Sequence, residues 1–219
     1  YDLLRREILH GELMPGDRLR VADLNDRYKL GLTPIREALV RLTSEGLVAS
    51  ESHRGARVRD ISLDEFSDMM QTRRELEGLC LAKAIHNGSA DWEGEVLKAF
   101  HLLSRAPLPA SAEDIVTAAQ WEQFHRQFHF SLVSACGSPW LLQFWNTLVD
   151  HSERYRKLRL LFWSSGEAEV RDINKEHETI MKAALSRDVE ATAALMDDHL
   201  TQTEHAVMKL LALRRDRKG

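Results

Sequence analysis

Two histidines in the stretch WEQFHRQFHFSLVSACG, residues 121 to 137, have the spacing of metal ligands. His125 and His129 lie four positions apart in a segment with helical periodicity, so both imidazoles project from the same side of the helix. One helix can supply two nitrogen ligands to a metal ion in this way. His177 and His199 lie on two further predicted helices, and a bundle that brings the three helices together would complete a four-ligand site. The alternative is that each histidine lies on the surface or is a hydrogen-bonded core residue, the commoner role of a single histidine in a helix.

Long helices must position these histidines. Beyond Asp60 the sequence lacks strand patterns, and its apolar residues recur with the helical period. Ser62 with Glu65 forms a capping box, which predicts a helix that runs to about His86. Further helices are expected over about 90 to 105, 112 to 136, 138 to 163, 167 to 186 and 188 to 214. Because the connections are short, residues 61–219 are predicted to form an all-α antiparallel bundle of about six helices.

The first sixty residues have a different pattern. Short helices are expected over about 1 to 10 and 21 to 28, and Thr33 followed by Pro34 predicts the N-cap and first residue of a third helix. That helix should end near Glu45, with an inward stripe of Ile35, Ala38, Leu39 and Leu42. Strand-like segments at 47 to 50 and 55 to 60 flank a polar turn and predict a hairpin. Residues 1–60 therefore have the outline of a winged helix-turn-helix domain, and the whole chain is predicted to be mainly α.

Charge is distributed unevenly between these two parts. The chain has 30 Lys and Arg against 34 Asp and Glu, a formal net charge of -4. Residues 1 to 60 hold 11 of the basic residues against 10 acidic ones, so the rest of the chain is the more acidic part. If the protein binds DNA, the first segment is the part expected to face it.

The composition is that of an ordinary globular protein, with 43% hydrophobic and 29% charged residues among 219. No apolar run approaches the roughly 20 residues that a membrane helix needs, and the N-terminus lacks a signal-peptide pattern. We therefore expect a cytoplasmic protein without a membrane partner. Cys80 and Cys136 show no metal or redox spacing and are expected to be buried, reduced thiols.

The N-terminal sequence resembles a known DNA-binding domain. HGELMPGDRLRVADLNDRYKLGLTPIREALVRLTSEGLVASESHRGARV, residues 10 to 58, is similar to the winged-helix domain of the GntR family of bacterial transcription regulators, above all in TPIREAL, RLTSEGLV and HRGARV. The remainder resembles the all-helical FCD effector domain of that family's FadR-type subgroup. The motifs that carry this second resemblance are TRRELEG (72 to 78), FHFSLVSACGSPWL (128 to 141), EHETIMKAALSRD (176 to 188) and MDDHL (196 to 200).

The resemblance implies that the helix beginning at Thr33 is the recognition helix, with its first turn in the major groove. Arg36 is then the residue expected to bind a guanine edge with two hydrogen bonds, and Thr33 is expected to bind a base or a phosphate. The alternative for Arg36 is a salt bridge to a neighbouring carboxylate. Arg20 is placed to contact the DNA backbone, and Arg54 with Gly55 belongs to the wing.

One departure from the family concerns the residues before this helix. The family usually has Ser-Arg directly before the Thr-Pro pair, and this chain has Gly31 and Leu32. A commonly used base-reading arginine is therefore absent. We expect a different preferred operator and a larger share of backbone contacts in the affinity.

The resemblance also implies a metal site in the effector domain, built from an aspartate four residues before a histidine and two later histidines. Those three histidines match His129, His177 and His199, and the aspartate position is occupied by His125. Imidazole suits zinc, the metal we expect first, and also nickel, copper or iron. Four neutral ligands would leave the full charge of a divalent metal ion, which favours an anionic ligand.

Three further residues near this predicted site have two interpretations each. Arg73 matches a recurrent arginine near the family's cavity and is expected to bind the carboxylate of an effector, whereas its alternative is a salt bridge with Glu77 at i, i+4. Asp197 and Asp198, beside the last histidine, could support the metal ligands, but solvated residues on a helix face are commoner.

The expected function is a homodimeric transcription regulator rather than an enzyme. Its two winged helices would bind a near-palindromic operator in double-stranded DNA, and a small organic acid coordinated to the metal would control that binding. Repression relieved by the ligand is the more frequent mode in the family. The alternatives are a metal-dependent enzyme, which lacks an obvious general base beside the histidines in the sequence, and a DNA-binding regulator without a metal.

Overall fold

The computed structural model describes residues 1–9, 11–51, 55–60, 62–109, 114–163 and 171–216. The chain forms two compact units, Tyr1–Ser62 and Leu63–Gly219. Within the described ranges, no helix combines the length and the apolar character that a membrane span requires.

The N-terminal unit combines three helices with a small sheet. In chain order its elements are α1 (Asp2–Leu9), β1 (Arg18–Leu19), α2 (Val21–Tyr28), α3 (Leu32–Ser44), β2 (Val48–Glu51) and β3 (Gly55–Val58). The strand β3 lies between β1 and β2 and is antiparallel to both, with Val48 opposite Val58 and Leu19 opposite Ala56. The winged helix-turn-helix prediction is confirmed. The strand β1 was not predicted, because two residues are too few to show an alternating pattern.

The apolar stripe of α3 packs into the core of this unit as predicted. The stripe consists of Ile35, Ala38, Leu39 and Leu42, and all four residues are buried. They belong to one core cluster with buried side chains from α1, α2 and the sheet. Apolar residues at this helical spacing must lie on one side of the helix, and that side is the one covered.

The predicted start of α3 was wrong. The helix begins at Leu32, with Gly31 as its N-cap, so Thr33 and Pro34 are already helical. Gly31 has φ of 90° and donates its N–H to Asn25 Oδ1 at 2.8 Å, a turn that only glycine adopts without strain. Pro34 is tolerated in the third helical position because the first four N–H groups of a helix have no intrahelical partner.

The C-terminal unit is a bundle of helices, as predicted. Its elements are α4 (Leu63–Asn87), α5 (Ala90–Arg105), α6 (Ile115–Val133), a 3₁₀ turn (Ser134–Cys136), α7 (Pro139–Trp163), α8 (Ile173–Leu185) and α9 (Val189–Asp216). Helix α4 packs against α6, α7 and α9, and α8 packs against α5 and α9. Cys80 and Cys136 are buried and free.

Side-chain caps fix where several of these helices begin. Ser89 Oγ accepts a hydrogen bond from Trp92 N, Asp114 caps α6 and Asp172 caps α8. Helices α6 and α8 therefore begin directly after an N-cap aspartate, whereas the sequence predicts starts near 112 and 167. Those predicted starts, within 110–113 and 164–170, lie outside the described residues.

Candidate functional site

Four buried histidines converge inside the helical unit. His125 and His129 come from α6, His177 from α8 and His199 from α9, and the four residues are between 0% and 4% exposed. Each offers a ring nitrogen, and these four atoms all lie within 4.8 Å of one another. The ring centroids of His125 and His129 are 4.5 Å apart, and those of His177 and His199 are 4.7 Å apart. The structure thus brings all four predicted metal ligands together.

The chemistry of this donor set fits a divalent transition metal. Nitrogen ligands about 2.1 Å from a tetrahedral zinc ion are about 3.4 Å from each other, so side-chain movements of about 1 Å would close the cluster around an ion. Neutral imidazoles also suit nickel and copper. Helical bundles build metal sites in their interior from side chains on facing helices, and these four imidazoles come from three such helices.

Glu176 defines how His199 is oriented. The Nδ1 atom of His199 lies 2.8 Å from Glu176 Oε2. Burial alone would raise the pKa of Glu176, but hydrogen bonds from His199 and Arg171 outweigh it and lower the pKa to about 2. The carboxylate is therefore ionised and can only accept, so Nδ1 carries the proton and donates it. This tautomer leaves Nε2 of His199 with the lone pair that a metal would bind.

His199 is held in its neutral form. Burial lowers the pKa of His199 to about 4, and the opposing effect of Glu176 is smaller. Arg171 holds this pair in place, since its guanidinium donates to Glu176, to the carbonyl oxygen of His199 at 2.8 Å and to Thr203 Oγ1 at 3.0 Å. Because a neutral imidazole is the form that binds a metal, the site is prepared for one near neutral pH.

Two more carboxylates lie beside the cluster. Glu122 Oε2 is 4.0 Å from Nδ1 of His125, and Glu77 Oε1 is 3.9 Å from Nδ1 of His129. With Glu176, three of the four imidazoles therefore have a carboxylate near Nδ1. Reasoning from the sequence missed these three carboxylates. Only Glu122, three positions before His125, could have been found from spacing.

The buried guanidinium of Arg73 belongs to the same network. Arg73 is 2% exposed, and its Nε lies 3.4 Å from Glu77 Oε2 while its Nη1 donates to Ser152 Oγ at 2.6 Å. The salt bridge with Glu77, the alternative considered for this residue, is thus present. The contact of Arg73 with an effector stays a prediction.

Asp197 and Asp198 do not support the histidines in this structure. Both are exposed, and Asp197 pairs with Arg74 at 3.4 Å. The commoner interpretation of these two residues, a solvated helix face, describes them.

A groove beside the cluster opens to solvent. Its volume is about 310 Å³, it lies against α8 and α9, and its lining includes Lys175, Glu176, Asp198 and His199. The groove therefore borders Glu176 and His199, whereas His125, His129 and His177 are not among the residues that line it.

The predicted DNA contacts lie at the surface of the N-terminal unit. Arg20, Thr33 and Arg36 are exposed, and within the residues that the structure describes Arg36 forms no ion pair. Arg54 lies outside the described residues. Gly55 begins β3 with φ of 94°, and a Cβ there would be 3.3 Å from Leu19 O, so the close approach of β3 to β1 favours glycine.

Comparison with known proteins agrees with this two-part arrangement. The family model "Bacterial regulatory proteins, gntR family" matches residues 1–58, and the model for the FCD domain matches residues 68–202. The HTH-type transcriptional regulator BphR of Paraburkholderia xenovorans is 34% identical over 214 residues, which cover 98% of this chain and 86% of BphR. The HTH-type transcriptional repressor GlaR of Escherichia coli is 34% identical over 200 residues, 91% of this chain and 90% of GlaR.

Solved structures show the same fold at lower identity. McbR/YncC of Escherichia coli has a TM-score of 0.76 at 20% identity, covering 95% of this chain and 94% of that protein. A putative transcriptional regulator GntR from Rhodococcus sp. RHA1 has a TM-score of 0.73 at 19% identity, covering 95% of both chains.

Proposed function

The chain belongs to the GntR family of bacterial regulatory proteins and carries an FCD domain, and we propose that a metal-bound metabolite controls its binding to DNA. The family and the relatives identify a transcription regulator rather than an enzyme. In this proposal residues 1–60 form the DNA-binding domain and residues 61–219 the effector- and metal-binding domain. The regulator acts as a repressor, and binding of the effector releases it from the operator.

The convergence of four buried imidazoles carries the metal part of this proposal. His125, His129, His177 and His199 would hold a divalent ion, with zinc as the expected metal and nickel or another transition metal as alternatives. When bound, the ion supplies a positive charge that attracts and orients a carboxylate. Glu176 fixes the tautomer of His199, and Arg171 holds Glu176 in place.

The charges around the cluster favour a singly charged effector. The carboxylates Glu77, Glu122 and Glu176 with the guanidiniums of Arg73 and Arg171 carry a formal charge of about -1 together. A divalent ion would raise the formal charge of the site to about +1. This is less than the charge of about +2 that an ion with four neutral ligands and no neighbouring carboxylates would keep. One carboxylate group would neutralise it, which supports a small organic acid as the effector. The groove against α8 and α9 offers it a route from solvent.

The DNA part of the proposal rests on the exposed face of α3. Arg36 and Thr33 would enter the major groove, Arg20 would contact the backbone, and Arg54 with Gly55 would form the wing. A homodimer would place two such helices on the half-sites of a near-palindromic operator. The effector can shift this dimer only if it binds the DNA-competent and incompetent arrangements with different affinity.

A gel-shift assay with the purified full chain tests the proposal. The operator is first selected from a random-sequence duplex pool, and binding is then measured with a panel of small carboxylic acids, with and without a chelator. We expect one class of acid to weaken DNA binding at least tenfold, and only in the metal-loaded protein. An acid response that is the same after removal of the metal would leave a regulator in which the histidines serve the fold alone.

A further inference from the structure

The recognition helix presents apolar side chains to solvent at its N-terminal end. Leu32, the first residue of α3, is 45% exposed, and Leu30, just before the helix, is 57% exposed. Single exposed leucines are ordinary on protein surfaces. These two, however, occupy the end of the helix that reads bases in helix-turn-helix proteins.

Leu32 shares its side of the helix with Arg36. At about 100° per residue, positions four apart differ by about 40° around the axis, so Leu32, Arg36 and Val40 form one stripe. Val40 is 69% exposed and Arg36 is exposed, whereas the neighbouring side of α3 is the buried stripe. This stripe follows one edge of the exposed side of α3, which also carries Thr33 and Glu37, and the N-terminal unit leaves all five side chains exposed.

The major groove of DNA matches this face in charge and chemistry. The guanidinium of Arg36 complements the negative potential of DNA and can bind a guanine edge. Among the four bases only thymine presents a methyl group in the major groove, and apolar side chains recognise it by contact. The family resemblance places an arginine where this chain has Leu32, so the departure exchanges a hydrogen-bonding side chain for one that can contact only an apolar group.

We propose that Leu32 is a specificity-determining residue that contacts the C5-methyl group of a thymine next to the base pair bound by Arg36. This inference rests on the proposed function, because it requires α3 to lie in the major groove. Beyond the proposed function, it specifies that each operator half-site carries a thymine at one position. Val40 lies about 12 Å further along the helix axis, beyond the first turn, and serves as a control on the same face.

Replacement of thymine by deoxyuridine tests the contact, because it removes only the methyl group and keeps base pairing. The operator selected by the full chain from a random duplex pool is synthesised with single symmetric replacements, and dissociation constants are measured. One replacement should weaken binding about fourfold per half-site, the factor that corresponds to burying one methyl group. Leu32→Ala should bind the thymine and deoxyuridine operators equally, and Val40→Ala should keep the wild-type difference.

A second operator selection, with a Leu32 variant that should gain a new base preference, gives a test that does not depend on loss of binding. With Leu32→Arg, the operator selected from the random pool should carry guanine in place of that thymine. Equal binding of the thymine and deoxyuridine operators by the wild-type protein would overturn the inference and leave the proposed function intact, as would a thymine preference that persists in Leu32→Ala. Leu32→Ala that binds the operator normally but changes the oligomeric state would assign the stripe to a protein contact and also overturn it. Absence of any selected operator would overturn the inference together with the proposed function.

Discussion

The Nδ1 atom of His199 lies 2.8 Å from Oε2 of Glu176, so a carboxylate on α8 orients an imidazole on α9. The guanidinium of Arg171 donates to the same carboxylate and to the carbonyl oxygen of His199. Such carboxylate–histidine pairs set the tautomer and the orientation of metal-binding imidazoles. The arrangement makes Glu176 a positioning residue whose effect on metal affinity can be measured.

Glu176→Gln should lower the affinity for zinc by about tenfold to a hundredfold, the usual effect of removing a hydrogen-bond partner of a metal ligand. The amide keeps the size of the side chain but loses its charge, and it can present a donor to Nδ1 instead of an acceptor. Competition with a chromophoric chelator measures the affinity. Glu178→Gln is the matched control, because Glu178 lies on the same helix and pairs with Lys175 and Lys182 rather than with the cluster. Equal zinc affinity in the two variants would contradict the positioning role.

Arg36→Ala should weaken operator binding by about tenfold to a hundredfold, as expected for the loss of a bidentate contact to guanine worth about 1–3 kcal/mol. Its exposed position indicates that fold stability should change little. Fluorescence anisotropy with a labelled operator measures the change. Arg105→Ala, which removes an exposed arginine of the helical unit, should bind as the wild type does. Arg36→Ala with unchanged affinity would count against α3 as the recognition helix.

Gly55→Ala and Gly78→Ala should shift stability in opposite directions. Gly55 has φ of 94° and little room for a Cβ, so alanine there should cost about 1–2 kcal/mol. Gly78 lies within α4, and a Cβ added there would meet open space, so alanine should stabilise the helix by up to about 1 kcal/mol. Chemical denaturation followed by circular dichroism measures both. A stabilising Gly55→Ala would show that the approach of β3 to β1 differs from the one described.

The thiol of Cys80 should be unreactive in the native protein. Burial, with smaller contributions from neighbouring groups, raises its pKa to about 12, so the thiolate that reacts with alkylating reagents is scarce below that pH. Iodoacetamide at pH 8 followed by mass spectrometry should find Cys80 unmodified in the folded chain and alkylated after denaturation. Rapid alkylation of the folded protein would contradict its burial.

Local periodicity explains how much of the fold could be predicted from the sequence. Ile35, Leu39 and Leu42 recur with the helical period, which predicts that they are buried on one side of α3, and the structure shows them buried. The start of α3 could not be predicted in the same way. It depends on the positive φ of Gly31 and on a hydrogen bond to Asn25, a residue six positions earlier, which a search for N-cap residues does not detect.

The candidate site could be predicted only in part, for a similar reason. The spacing of His125 and His129 on one helix predicts a pair of candidate ligands, and the family resemblance indicates the other two histidines. The carboxylates beside them come from side chains whose directions depend on helix packing. Glu77 reaches His129 from α4, and Glu176 reaches His199 from α8, so no local spacing reveals either contact.

Metal content of the purified chain tests the central claim most directly, namely that four imidazoles form one metal site. Inductively coupled plasma mass spectrometry on the zinc-loaded, desalted wild type should find about one equivalent of metal per chain, and His177→Ala should lose it because that residue is fully buried in the cluster. His205→Ala, which removes an exposed histidine of α9, should retain the metal. A wild type without bound zinc, or the same metal content in His177→Ala, would contradict the account.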